Sequence, residues 1–221
     1  MIITTYEQNS VNERTKTMIS PIGIKPFFVY SAVSAISYSL ESYNFFLYST
    51  SFLQYMYYMH KYWDRNTAYY QEFKRDAHLY KSVSQLQLFY LFITTTIDDW
   101  KSNPDWICAA IMFMGYFISI NSFFVLGDNG TYYAIELGLM KPDLKFTWPY
   151  GKFGPIPSVW HPMYMGQVYA LIGMFKMASF REAYPLLVPL HILYYLVCIA
   201  QEVFDIHRGT WTIKAKATKK L

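Results

Sequence analysis

The 221-residue sequence predicts an all-α integral membrane protein with about four transmembrane helices and an N-terminal interfacial or re-entrant helical arm. Three observations predict this class. Charged residues make up 15% of the chain, against about 25% in soluble domains, while hydrophobic residues reach 53%. Aromatics reach 20%, with 22 tyrosines, a residue favoured at membrane–water interfaces. Uncharged apolar runs of near-span length recur along the chain, and the mean hydropathy of only +0.10 reflects the polar loops between them.

The elements follow in chain order. Residues 1–25 are a polar segment holding Glu7 and Glu13 with only Arg14, Lys16 and Lys25 as basic residues. It lacks an apolar core, so no secretion signal is expected, and the two acids among few basic residues do not suit a transit peptide. From Pro26 to Met59 the one charge is Glu41, which suits one long tilted helix or two short arms meeting at that residue. An interfacial or re-entrant arm followed by a span is the reading adopted. Residues 82–97 form a short uncharged run. Residues 106–126 form the clearest span, 21 residues without a charge, since a bilayer core of ~30 Å needs about 20 helical residues. Residues 159–175 open on Trp160-His161-Pro162-Met163-Tyr164-Met165-Gly166, an unusual cluster for a span entrance. Residues 184–200 close the series, with Pro185 and Pro189 in the first turns, where proline is tolerated. The helical domain is assigned to 26–208 and a basic tail to 209–221, whose lysines suit anionic lipid headgroups.

Basic residues are unevenly shared between the connecting segments. If the spans alternate, segments 60–81 and 127–158 and the chain after residue 203 share a face with thirteen Lys and Arg residues. Segments 98–105 and 176–183 carry three on the other. The positive-inside rule turns the basic face to the cytosol or to the mitochondrial matrix, so the endoplasmic reticulum and the mitochondrial inner membrane are the expected locations. Gly127–Thr131, His161–Gly166 and Gln201-Glu202 all fall on that face, where they can build one site.

Each piece has chemistry to offer. Gly127 and Gly130 flank Asp128-Asn129, a turn signal whose glycines let backbone N–H groups approach a ligand. Glu136 is an acid in an apolar stretch at membrane depth, a site candidate by default. Pro162 suits a first helical turn, which leaves His161 before it free to bond a carboxylate or accept a proton. Trp160 and Tyr164 offer aromatic faces to a sulfonium or ammonium. Glu202, at the end of the last span, can hold an ammonium group or ribose hydroxyls. Other classes are disfavoured. His60, His78, His191 and His207 lack metal-binding spacing, so no metal is expected. Asp98-Asp99 reads as a solvated acidic turn. Cys108 and Cys198 lie in apolar runs with no CxxC spacing and read as buried thiols. There is no phosphate-binding glycine loop and no nucleophile elbow. The basic residues flank spans and form no separate domain, so no nucleic-acid partner is expected.

Ser122-Phe123-Phe124-Val125-Leu126-Gly127, Gly130-Thr131-Tyr132 and Gly138, with Pro162-Met163-Tyr164 and Gly166, resemble the motifs of the phosphatidylethanolamine N-methyltransferases. Those enzymes are related to the isoprenylcysteine carboxyl methyltransferases. Gln201-Glu202 with Phe204 falls where that family carries a Glu-Glu pair, and order and spacing agree from about residue 106 to 208. The resemblance implies an S-adenosylmethionine site at Gly127, Gly130, Thr131, His161, Pro162, Met163, Tyr164, Gly166, Gln201 and Glu202. It implies methyl transfer to a phospholipid amine, with Glu202, His161 and Glu136 as candidates for the amine base or for its orientation. Gln201 replaces the family's first acid, Val203 a frequent proline, Ala134-Ile135 a Gly-Asp pair, and Asp128-Asn129 a more apolar pair. Two functions are therefore expected: an active methyltransferase binding phospholipid in the membrane, or a catalytically degenerate relative. The latter would be an accessory subunit with protein partners in a larger membrane complex, such as a respiratory one.

Overall fold

The computed structural model describes residues 24–64, 66–134, 137–139 and 161–204, and among them every regular element is a helix. Helix α1, Ile24–Ser39, and α2, Tyr43–Asp64, meet at a turn where Glu41 takes a φ of 49°. The run from Pro26 to Met59 is thus two helices, not one. Ser42 starts the second, its hydroxyl accepting from the Phe45 N–H at 3.2 Å.

Helix α3, Tyr70–Ser102, is twice as long as its uncharged stretch. The expected loop 60–81 is helical from residue 70, and Asp98-Asp99 lie in the last turns of this helix, not in a loop. The cause is a buried stripe at three- and four-residue spacing, Phe73, Ala77, Tyr80, Ser84, Leu88 and Leu91, which runs unbroken through the charged stretch. Charge marks where an apolar slab ends; the stripe decides where the helix ends.

Helix α4, Trp106–Thr131, begins on Asp105, whose carboxylate accepts from the Cys108 N–H at 2.9 Å. Asp105 also pairs with Lys176, and this hydrogen bond, with that from Cys108, holds its carboxyl below the usual aspartate range. Helix α5 is Pro162–Lys176, α6 is Ala178–Ala183 and α7 is Leu187–Phe204. By length and composition α4 is the one described helix able to cross a membrane, while α7 carries a shorter apolar run, Leu187–Glu202.

Helices α4 and α5 pack antiparallel with their backbones touching. The Cys108 thiol reaches the Gly173 carbonyl at 3.1 Å, and further along Gln167 donates to the Ser119 hydroxyl at 2.7 Å. Between them, a Cβ added to Gly166 would lie 2.6 Å from the Gly115 carbonyl oxygen and 2.7 Å from the Ser119 nitrogen. Glycine at both positions permits this approach. Helix α7 runs antiparallel to α5 and alongside α2. As a result the ends of α2, α4 and α7 and the starts of α3 and α5 gather at one end of the bundle.

A polar column runs through the interior. The Tyr55 hydroxyl donates to Nδ1 of the fully buried His191 at 2.7 Å, and Nε2 faces the Ser51 hydroxyl at 3.3 Å. Gln54 donates to Ser84, and Ser84 to the Ser51 carbonyl, both at 2.7 Å. His191 is thus held by a neighbouring helix. Replacing Tyr55 with Phe leaves a buried ring nitrogen without its donor, a cost of about 1–3 kcal/mol. The thermal unfolding midpoint of Y55F is expected to fall clearly below wild type; an unchanged midpoint would refute this role.

Candidate functional site

The end of α4 is shaped by one residue. Gly127 takes φ 67° and ψ 174°, breaking the helix, which resumes for one further turn to Thr131. A side chain at 127 would meet nothing within 4 Å, so backbone conformation alone requires glycine here. The Thr131 hydroxyl donates to the Gly127 carbonyl at 2.9 Å and ties the turn to the break.

Two side chains of α3 clasp this turn. Lys74 approaches Asp128 at 2.6 Å and donates to the Asn129 side-chain oxygen at 3.1 Å. His78 donates from Nε2 to Asp128 at 2.8 Å, and its Nδ1 lies 2.8 Å from the Tyr132 hydroxyl. Partial burial pushes the Asp128 carboxyl up, but the hydrogen bonds and charges of Lys74 and His78 outweigh it and hold the carboxyl below the aspartate range. A depressed carboxyl stabilises the fold above its unfolded value and loses that contribution as pH falls through its folded one. Because the pair is open to solvent, the contribution is about 1 kcal/mol or less. The stability gap between wild type and D128N is expected to close on acidification below the ordinary aspartate range. A gap that stays constant with pH would contradict the clasp.

Helix α5 starts at the same end. His161 sits just before it with φ 41° and ψ 62°, a left-handed conformation uncommon outside glycine, and Pro162 takes the first helical position. From α7 comes Glu202, only 9% exposed. The Tyr164 hydroxyl donates to its Oε1 at 2.6 Å, and Nδ1 of His161 lies 3.7 Å from its Oε2. These groups line a notch with Leu126, Gly130, Thr131, Tyr133 and Met163. Tyr133 also has a positive φ, 63°. Two of the three non-glycine residues with positive φ among those described therefore border this notch, and such strain concentrates at functional sites.

The structure sorts the sequence candidates. Gly130, Thr131, His161, Met163, Tyr164 and Glu202 meet at the notch, and Pro162 supports it from the first turn of α5. Gly127 and Gly166 do not line it: the first breaks α4 and the second seats α5 on α4. Nor is Gln201 among the lining residues. It is buried, and its carbonyl accepts from the Tyr62 hydroxyl. Glu136 and Trp160 lie outside the described residues.

Several residues went unread in the sequence. Tyr133, Lys74, His78 and Tyr62 all act at this end of the bundle. Tyr133 packs against Tyr58 at 5.5 Å and Tyr62 at 5.9 Å, joining the notch to an aromatic cluster. Lys74 and His78 carry a usable signal: with Lys81, Gln85 and Phe89 they fall at helical spacing, a pattern hidden once the segment is taken as loop. Among the described residues no group of histidine, cysteine, aspartate or glutamate is arranged to hold a metal ion.

Chemically the notch combines a buried carboxylate, an imidazole, a strained backbone turn and two tyrosine faces. The room within it is about 20 Å³, enough for one water. The groups suit a ligand carrying both positive charge and hydroxyls, and one larger than water needs lining side chains to move. Compared with known proteins, the chain matches no family model, no curated protein and no solved structure.

Proposed function

We propose that this chain is an S-adenosylmethionine-dependent methyltransferase that acts in the membrane on the amine headgroup of a phospholipid. One observation carries the reading. Three segments far apart in sequence, Gly130–Thr131, His161–Tyr164 and Glu202, line a single notch at one end of the helical bundle. They are segments that the family resemblance nominates. When bound, the cofactor supplies an electrophilic methyl group on a sulfonium sulfur. Glu202 holds its ammonium or ribose hydroxyls, Gly130 lets the ligand approach backbone, and Tyr133 and Tyr164 present faces to positive charge. His161, beside the carboxylate, accepts the proton that the lipid ammonium must lose before its nitrogen can attack.

The outer surface supports the membrane setting. Phe113 and Phe124 on α4 are 69% and 75% exposed, and Leu86 and Ile93 on α3 and Leu193 on α7 are exposed as well. Only 28% of the most apolar window of α4 is buried within the bundle. Contiguous apolar surface of this kind suits lipid better than water. In this reading α3, α5 and α7 cross the bilayer beside α4, α1 forms the arm, and the site end faces the cytosol or the matrix.

The test is to incubate purified full-length protein with methyl-labelled S-adenosylmethionine and vesicles containing phosphatidylethanolamine. Label in the N-methylated lipid is expected, and unlabelled lipid from folded protein contradicts the reading. An accessory subunit is the second reading, favoured by Gln201 in place of an acid and by the Tyr164–Glu202 hydrogen bond that closes the notch. It expects co-migration with a large complex in mild detergent and no cofactor binding.

A further inference from the structure

We infer that Lys81 is the phosphate anchor of a lateral lipid entrance between α3 and α4, placing a zwitterionic headgroup with its amine toward Glu202. The inference rests on the methyltransferase reading for the fate of the amine, but its geometry is independent.

Lys74, His78, Lys81, Gln85 and Phe89 follow one another at three- and four-residue spacing and share one face of α3. Above Lys81, Lys74 and His78 hold Asp128 of α4. Below it, Tyr116 of α4 reaches Gln85 at 3.5 Å and stacks on Phe89 at 5.1 Å. The two helices are thus joined by side chains at two levels, and Lys81 stands between them. It has no hydrogen-bond or ion-pair partner among the described residues. The sequence count placed Lys81 in a basic loop, whereas it belongs to the bundle.

Lys81 lines a chamber with Gln54, Tyr58, Gln167, Tyr195 and Cys198, and among the described residues no carboxylate lines it. A half-buried ammonium without a counter-charge is costly, and an anion arriving from outside removes the cost. The chamber shares Met163 and Tyr164 with the notch. Tyr164 is therefore the partition between a cation on one side and the Glu202 carboxylate on the other. A phosphodiester linked to an ammonium matches that order of charges: the phosphate meets Lys81 and the ammonium passes Tyr164. The chamber holds about 20 Å³, so a headgroup enters as α3 and α4 part between their two linked levels.

Native mass spectrometry of the full-length protein tests this. It would be incubated with phosphatidylethanolamine, with diacylglycerol of the same acyl chains, and with glycerophosphoethanolamine as a soluble phosphodiester. Wild type is expected to retain the phospholipid in preference to diacylglycerol. K81M should lose about tenfold of that preference, the scale of one charge-assisted hydrogen bond, and K81R should keep it. Equal preference in K81M and wild type overturns the anchor. Lys81-dependent retention of glycerophosphoethanolamine without phospholipid overturns the lipid entrance. Cofactor binding in the same samples separates the two readings. K81M that binds S-adenosylmethionine normally but has lost phospholipid preference supports the anchor. Lys81-dependent lipid retention in a wild type that binds no cofactor leaves the anchor standing and removes the methyltransferase.

Discussion

Replacing Glu202 with Ala is expected to reduce S-adenosylmethionine affinity by about 100-fold or more, because a buried charged partner lost from a polar ligand costs about 2–5 kcal/mol. Among the described residues the carboxylate is the only acid lining the notch, and its oxygens are positioned by Tyr164 of α5 and by His161 just before it. Replacement with Gln keeps the shape and removes the charge, so E202Q measures the electrostatic part alone. Tyr164→Phe separates holding from gating. It frees Oε1 from its 2.6 Å hydrogen bond, so a purely closing role for the tyrosine predicts tighter cofactor binding in Y164F. Isothermal calorimetry on the purified variants reads all three. Affinity unchanged in E202A would remove Glu202 from the site.

The second large effect is expected at Gly166, whose role is packing. Even the single Cβ of alanine would press on the Gly115 carbonyl oxygen at 2.6 Å and the Ser119 nitrogen at 2.7 Å. Both obstacles are backbone, so α5 must move away from α4. Overpacking of this kind costs about 1–3 kcal/mol, and more for a larger side chain. G166A is expected to lower the unfolding midpoint and, by shifting His161 and Tyr164 away from Gly130, to weaken cofactor binding as well. G166L is expected not to fold. Gly127→Ala is the control: it meets no atom within 4 Å and suffers only from its backbone conformation, a cost of about 1–3 kcal/mol. A G166A protein as stable as wild type would contradict the close α4–α5 packing.

These glycines show what the sequence could and could not reveal. The uncharged run from Trp106 to Leu126 is legible because span length and composition are local properties, and α4 matches it. Pro162 at the first turn of α5 is legible for the same reason. The resemblance puts Gly166 in the cofactor site, whereas here it seats α5 on α4; a glycine needed by a ligand and a glycine needed by a neighbouring helix look alike in one dimension. The meeting of Gly130, His161 and Glu202 was foreseeable only as a shared face. Which of them share a wall depends on the antiparallel course of α5 against α4 and α7.

Charge misled in one respect. Lys74, Arg75 and Lys81 read as a loop, although the stripe Phe73, Ala77, Tyr80 and Ser84 beneath them is helical. Taking the segment as loop hid the row that clasps Asp128 and places Lys81 inside the bundle. The tyrosines were unreadable for a different reason. With 22 in the chain, nothing local distinguishes Tyr133 at the notch from tyrosines that merely pack or face the interface.

The central claim is that one ligand touches α4, α5 and α7 together at this end of the bundle. Hydrogen–deuterium exchange of the full-length protein with and without S-adenosylmethionine tests it most directly. Added cofactor is expected to slow exchange in three peptides at once, those covering residues 127–134, 161–166 and 198–202, while the opposite end around Asp105 and Lys176 stays unchanged. Exchange that is unaffected by cofactor in all three peptides, or slowed only elsewhere, would contradict the account.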